Sequence, residues 1–148
     1  MSNKLSHNQT IVFLQILQIL RNDKNKIARK KIYELYIDNK LNNNFLDNQT
    51  ILLIEQINGD FDEIGFLVEE YDLTKILFRL YSDTIRRLWI ALEHNIQIEK
   101  IKRKKNDPTA EHFGSFFSKL AFEAKKYRDK NNLKEPGFTD FRNSMNQK

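Results

Sequence analysis

Two long stretches of the sequence place apolar side chains at intervals of three and four residues. The first runs from Leu53 to Val68 and the second from Ile76 to Ile96, and neither contains a proline. This spacing puts the apolar side chains on one face of an α-helix that packs on a core. The 148 residues include only four glycines and two prolines, too few for the frequent turns of an all-β chain. The sequence therefore predicts an all-α fold.

The pattern predicts about five helices in an up-and-down bundle, with a long fourth helix. We expect one helical domain over residues 1–130 and a polar, mobile tail over residues 131–148, in which Phe138 and Phe141 are isolated rings. Asn8 or Thr10, Asp47, Asp72 and Asp107 are candidate N-caps, because short polar side chains accept hydrogen bonds from the first free amides of a helix. The first predicted helix ends near Arg21. The other four predicted helices cover roughly residues 25–39, 48–69, 72–104 and 108–129.

The third helix contains two glycines, Gly59 and Gly65, within its apolar stripe. Either one helix runs through both, or two helices meet at Asn58-Gly59, where Asp60 to Glu63 has the spacing of a capping box. We favour one helix because the apolar phase continues across the glycine. A glycine inside a helix costs about 1 kcal/mol relative to alanine. We therefore expect both glycines to permit close approach of another backbone.

The most apolar run of the chain is Ile11–Leu20. It is too short to cross a bilayer, which takes about 20 apolar residues, and no small-residue cleavage site of a signal peptide follows it. We expect a cytoplasmic protein, with attachment to a membrane surface left open. A helix that is apolar on nearly all sides also suits burial against a second subunit. The predicted interface comprises Phe13, Leu14, Leu17 and Trp89, although Trp89 would also serve as a core anchor.

Charge is unevenly distributed along the chain, which has a net charge of +5. Residues 1–80 carry a net charge of −1, and residues 81–148 a net charge of +6. Such asymmetry favours self-association or an acidic partner, although two solvated helix faces would have the same composition. A basic surface that could bind nucleic acid without sequence preference is predicted to include Arg86, Lys102, Arg103, Lys104 and Lys105.

The residues that usually carry catalysis are sparse in this sequence. The absence of cysteine excludes disulfides, thiolate metal sites and cysteine nucleophiles. The three histidines, His7, His94 and His112, form no helical metal-ligand pair, and no glycine-rich phosphate loop occurs. We predict neither a cofactor nor a metal. One acidic cluster could in principle hold a hard cation and contains Asp60, Asp62, Glu63, Glu69 and Glu70. Asp60, Asp62 and Glu63 have a complete structural interpretation near a helix start, and the cluster lies on a helix and not in a calcium loop.

One pair of residues on the fourth helix resembles a known catalytic motif. Arg87 and His94 lie nearly two turns apart, so their side chains project from one face of the helix. This pair is similar to the Arg-x4–6-His motif of HEPN-type ribonucleases, which are small helical domains. The resemblance implies a site duplicated across a dimer, in which arginine binds phosphate and histidine helps to activate the 2′-hydroxyl. Leu88 departs from the polar residue usual in that family.

The middle of the chain resembles an uncharacterised helical family of microbial proteins, a domain of unknown function. The resemblance covers about residues 25–125 and implies the same helical fold without an established activity. Many members have an N-terminal membrane helix, whereas Ile11–Leu20 is too short for one. The residues that carry it are Arg29-Lys30-Lys31, Tyr33, Tyr36, Phe61 to Val68, Leu88-Trp89, Phe113, Phe117, Leu120 and Ala121.

The sequence thus favours a non-enzymatic protein-interaction module that forms homo-oligomers. Two alternatives stay open: a dimeric, metal-independent ribonuclease that uses Arg87 and His94, and nonspecific nucleic-acid binding through the basic helical surface. The sequence leaves the partner and the biological process undefined.

Overall fold

The computed structural model describes residues 4–42 and 45–138. Within these two ranges every regular element is helical, so the predicted all-α bundle with a long fourth helix is confirmed. No described helix has both the length and the apolar character needed to cross a membrane. The elements are α1 (His7–Arg21), α2 (Asp23–Ile37), α3 (Asn48–Tyr71), α4 (Thr74–Lys104), a short 3₁₀ helix (Pro108–His112) and α5 (Ser115–Lys130).

The helices enclose a single core. Helix α5 packs on α3 and α4, α2 packs on the same two helices, and α1 covers α2 and α3. Each helix contributes the side chains that its three-and-four spacing places on one face. Fully buried large side chains come from all five helices and include Ile16, Leu20, Ile32, Phe61, Ile64, Leu77, Leu88 and Phe117.

The start of α1 differs from the prediction. Ser6 is the N-cap, and it exchanges hydrogen bonds with Gln9 in a capping box, so neither Asn8 nor Thr10 caps the helix. The reciprocal pair satisfies two amides instead of one. At α3 the predicted cap is confirmed, because Asp47 accepts a 2.7 Å hydrogen bond from the Thr50 amide.

Helix α3 runs unbroken through Gly59, as the continuous apolar phase predicted. The two glycines differ in their surroundings. A Cβ atom on Gly65 would lie 2.6 Å from the carbonyl oxygen of Phe116, so this glycine permits the close approach of α5. A Cβ atom on Gly59 would meet nothing within 4 Å, so the prediction of close packing there is wrong.

The junction between α3 and α4 is made differently from the prediction. Asp72 ends α3 in the left-handed conformation, with φ of 54°. Leu73 precedes α4 without a side-chain cap, and its side chain is buried. Asp72 is therefore the C-cap of one helix and not the N-cap of the next. Asparagine and aspartate tolerate this left-handed region better than most other residues.

The predicted fifth helix is divided in two. Asp107 accepts a hydrogen bond from the Thr109 amide at 3.0 Å, but the helix that it caps is the short 3₁₀ helix. Gly114 then adopts a left-handed conformation, with φ of 71°, and α5 begins only at Ser115. A Cβ atom at Gly114 would also lie 2.7 Å from the Ile96 side chain, so this turn needs glycine.

The first part of the predicted tail lies on the bundle. Residues 133–138, which we call the strap, are held partly by Arg128, which donates two hydrogen bonds to the Lys134 carbonyl oxygen. The Phe138 ring packs on Tyr36, with ring centroids 4.5 Å apart. Residues 139–148, including Phe141, lie outside the described residues.

Candidate functional site

An apolar groove of about 420 Å³ opens where α3 begins and α4 ends. It is lined by Leu41, Asn42, Phe45 and Leu46 from the chain between α2 and α3, by the first turns of α3, by residues 94–102 of α4, and by Phe113. We call this opening the groove. Its apolar side chains are Leu41, Phe45, Leu46, Ile51, Ile54, Ile96, Ile98 and Phe113.

Helix α5 covers only part of the length of α4. At one end of their contact the Tyr127 ring packs 5.8 Å from the Phe78 ring, and at the other end Gly114 faces Ile96. Helix α4 continues beyond this point to Lys104. We call residues 78–96 the covered segment of α4 and residues 97–104 its open segment. Because α4 extends beyond α5, the last turns of α4 are not covered by α5.

The groove is bordered by apolar side chains that are exposed. Phe45 stands at the rim with 94% of its surface exposed, and Ile98 in the open segment is 40% exposed. Leu52 and Ile101, on α3 and α4, are exposed as well. Isolated exposed apolar residues are normal, whereas several at one end of a bundle form a patch that typically marks an interaction site.

The charged groups at the rim are paired with one another. Arg103 Nε donates to Glu99 at 2.9 Å, and another Arg103 nitrogen lies 3.5 Å from a Glu55 oxygen. The guanidinium also lies 4.2 Å from the centre of the Phe113 ring. Arginine is suited to this combination because its flat cation stacks on rings while its edges bind carboxylates. Lys102 also lines the groove, so the formal charges of Glu55, Glu99, Lys102 and Arg103 sum to zero.

One polar contact fixes the loop beside the groove. The Asn95 side-chain nitrogen donates to the Leu41 carbonyl oxygen at 2.9 Å, which ties the loop to α4. Leu41 itself is buried in the core. The Asn95 side-chain oxygen is buried and has no hydrogen-bond partner in the described part of the chain.

The structure places Arg87 and His94 in separate surroundings. Arg87 donates to the Gly137 carbonyl oxygen of the strap at 2.9 Å and lies 3.9 Å from Asp83. Its guanidinium is 5.7 Å from the centre of the Tyr33 ring. His94 is exposed and lines the groove, which Arg87 does not. The two residues are thus not brought together in one cavity.

The predicted interface residues do not form one surface. Phe13 and Trp89 are both buried in the core, and the Trp89 ring packs edge-on against Phe117 at 5.1 Å. Leu17 is half-buried, and only Leu14 is exposed. The prediction is corrected for Phe13 and Trp89, because each completes the packing of its own chain. The polar neighbours of Trp89 in the sequence gave no indication of this burial.

Arg86 does not belong to the predicted basic surface. It is 8% exposed, and its guanidinium donates to both carboxylate oxygens of Glu135, at 2.8 and 2.6 Å. A third nitrogen donates to the Ala121 carbonyl oxygen at 3.1 Å. These hydrogen bonds from Arg86 hold the pKa of the Glu135 carboxyl below its usual range. Arg86 therefore anchors the strap, which the sequence analysis treated as a mobile tail.

The remaining members of the predicted basic surface lie at the end of α4. Lys102, Lys104 and Lys105 are exposed, whereas Arg103 is held by its carboxylate partners. These three lysines present charge to solvent without a carboxylate partner in the described part of the chain.

Asp62, a member of the acidic cluster, caps α5 from a neighbouring helix. Its carboxylate accepts a 2.8 Å hydrogen bond from the Phe117 amide, at the start of a helix whose own N-cap, Gly114, has no side chain. Burial raises the pKa of the Asp62 carboxyl, and this backbone hydrogen bond acts in the opposite direction. No group of acids and histidines in the described ranges is arranged to hold a metal ion.

Comparisons of the chain with protein-family models, with curated proteins and with solved structures find no match. The resemblance to a helical family of unknown function therefore stays a prediction, and the site has to be interpreted from its own geometry.

Proposed function

We propose that this protein is a non-enzymatic interaction module that forms homodimers through the groove. The observation that carries the proposal is the apolar groove with the exposed Phe45 ring at its rim. In the proposed dimer, the Phe45 ring of each copy enters the groove of the other. The proposed dimer interface is therefore the groove at one end of the bundle, and not the predicted interface on α1 and Trp89.

The chemistry of the groove supports association driven by apolar burial. Transfer of apolar surface out of water contributes about 25 cal/mol per Å². A phenylalanine that moves from near-complete exposure into an apolar groove gains more from this term than most side chains do. Aromatic anchors seated in pockets commonly dominate the energy of an interface.

Two features favour a second copy as the occupant. The projecting ring and the groove lie on the same face, as a two-fold interface requires, because each copy must present both parts. The rim carboxylates of Glu55 and Glu99 are balanced in formal charge by Arg103 and Lys102, so these four groups give the face no net charge that would select or repel a partner. Two such faces can therefore meet without a net electrostatic penalty.

The proposal is tested by substituting Phe45. We expect wild-type protein to approach the mass of a dimer in light scattering as its concentration increases. Phe45→Ser should raise the dimer dissociation constant by about 30-fold, the effect typical of losing a central aromatic anchor. Circular dichroism should be unchanged, because the ring lies outside the core.

The matched control is Ile27→Ser, which removes an exposed apolar side chain from α2, away from the groove. It should leave the dissociation constant unchanged. A wild-type chain that stays monomeric at high concentration would refute self-association. Equal weakening by both substitutions would refute the assignment to the groove.

A further inference from the structure

A second opening, of about 380 Å³, lies between α4 and α5 on the side of α4 that faces away from the groove. We call it the lysine cleft. It combines three kinds of side chain: cationic, hydroxyl-bearing and aromatic. The residues that matter here are Trp89, Lys100, Ser115, Ser118, Lys119 and Phe122.

The polar lining of the lysine cleft consists of groups that suit an anion. None of the lining residues is an aspartate or a glutamate. Lys119 is 2.6 Å from Glu69, but Lys100 has no carboxylate within salt-bridge distance in the described part of the chain. Ser115 and Ser118 add hydroxyl groups, and each hydroxyl can donate a hydrogen bond. An anion is therefore attracted to the Lys100 side of the cleft.

The N-terminus of α5, which borders the cleft, is already engaged by a side chain of its own chain. Asp62 already accepts the amide of Phe117 at the start of α5. The positive N-terminal end of α5 therefore already interacts with the Asp62 carboxylate of α3. The site for an anion is defined by Lys100 and the serine hydroxyls.

The aromatic side of the cleft offers a surface for a planar ring. Phe122 is 58% exposed, and the ammonium group of Lys126 lies 4.8 Å from its ring centre. Trp89 lies deeper, packed on Phe117. An exposed aromatic ring beside cationic groups is the arrangement on which nucleic-acid bases stack, because every base has a π-face.

We infer that the lysine cleft binds one nucleotide unit, with its phosphate at Lys100 and the serine hydroxyls and its base on Phe122. Two sources share this chemistry: a free mononucleotide and one residue of a single-stranded nucleic acid. The inference is independent of the dimer, because the cleft and the groove lie on different sides of α4 and share only Ile96 and Phe113.

The chain carries a built-in reporter for this site, since Trp89 is its only tryptophan and lines the cleft. Full-length protein is titrated with uridine monophosphate, with uridine, and with a short oligouridylate at low and physiological salt. Binding is followed by Trp89 emission and by calorimetry. We expect saturable binding of a phosphate-bearing probe and much weaker binding of uridine. Saturation by the monophosphate identifies a free nucleotide, and saturation by the oligouridylate alone identifies a single strand.

Two substitutions and one control make the assignment specific. Lys100→Gln should weaken binding about tenfold through loss of a charge-assisted contact. Phe122→Ala should weaken it by a similar factor through loss of stacking. Lys104→Gln removes the same charge from an exposed position that does not line the cleft, and it should have little effect. Equal weakening by Lys104→Gln and Lys100→Gln, or no saturable binding of either phosphate-bearing probe, would overturn the inference.

Discussion

The covered and open segments of α4 belong to one continuous helix but have opposite surroundings. In the covered segment, Ile85, Leu88 and Leu92 are completely buried beneath α5 and the other helices. In the open segment, Ile98 and Ile101 stay exposed beside the groove. The apolar side chains of the covered segment therefore stabilise the monomer. Those of the second segment are available to a partner.

The sharpest way to test this contrast is to shorten one apolar side chain in each segment. Leu88→Ala should lower the free energy of unfolding by about 2–5 kcal/mol, because it leaves a cavity in the core. Ile101→Ala should change it by no more than about 0.5 kcal/mol, as expected for an exposed site. Urea denaturation of dilute protein measures both. Similar losses for the two variants would show that the open segment is also part of the core.

The contact of α5 with α3 is expected to be nearly as sensitive. Gly65→Ala would place a Cβ atom 2.6 Å from the Phe116 carbonyl oxygen, so one helix must shift, at a cost of about 1–3 kcal/mol. Gly59→Ala meets no neighbour and should stabilise α3 by about 1 kcal/mol. Thermal unfolding should therefore move in opposite directions for these two variants. Equal shifts would contradict the close packing of α5 at Gly65.

The strap should contribute a smaller and pH-dependent stabilisation to the covered segment. Glu135→Gln removes the carboxylate partner of the buried Arg86. Because Glu135 is partly exposed, we expect a loss of about 1–2 kcal/mol at neutral pH, below the range for a fully buried pair. The matched control is Glu93→Gln, which removes the same carboxylate charge from an exposed position.

The sign of the pH effect follows from the lowered pKa of Glu135. A carboxyl whose pKa is lower in the folded state contributes its full stabilisation above its unfolded pKa, near the ordinary value of 4.5. This contribution is lost as the pH falls through the lower, folded pKa. The stability difference between wild type and Glu135→Gln should therefore be constant near neutrality and disappear in acid. A difference that grows on acidification would contradict the ion pair.

The helices that are defined by the local spacing of apolar residues could be predicted from the sequence. The continuous apolar phase predicted α3 through Gly59, and the last residue of α4 was placed at Lys104. The contact at Gly65 was also anticipated. The extents of α3 and α4 depend on residues within a few turns of one another, whereas the sequence did not identify Phe116 of α5 as the neighbour of Gly65.

The features that depend on distant residues were missed. Arg86 was assigned to a surface because its partner, Glu135, lies 49 residues away in a polar tail. Trp89 was assigned to an interface because Arg86 and Arg87 precede it, whereas its burial depends on Phe117 of α5. The groove depends on how Leu41 and the residues near it pack on α4, where Asn95 holds the Leu41 carbonyl oxygen across 54 residues of sequence. The start of α5 was also missed, because the left-handed turn at Gly114 delays it to Ser115. The sequence signal for this turn was Gly114, which follows the short segment capped by Asp107.

Hydrogen exchange measured at low and high protein concentration tests the central claim most directly. If the groove joins two copies, amides of the open segment, residues 97–104, and of the start of α3 should exchange more slowly at high concentration. Amides of the covered segment should keep their rates, because they are already buried in the monomer. Exchange in the open segment that is independent of concentration, or slowing confined to α1, would contradict the proposed interface.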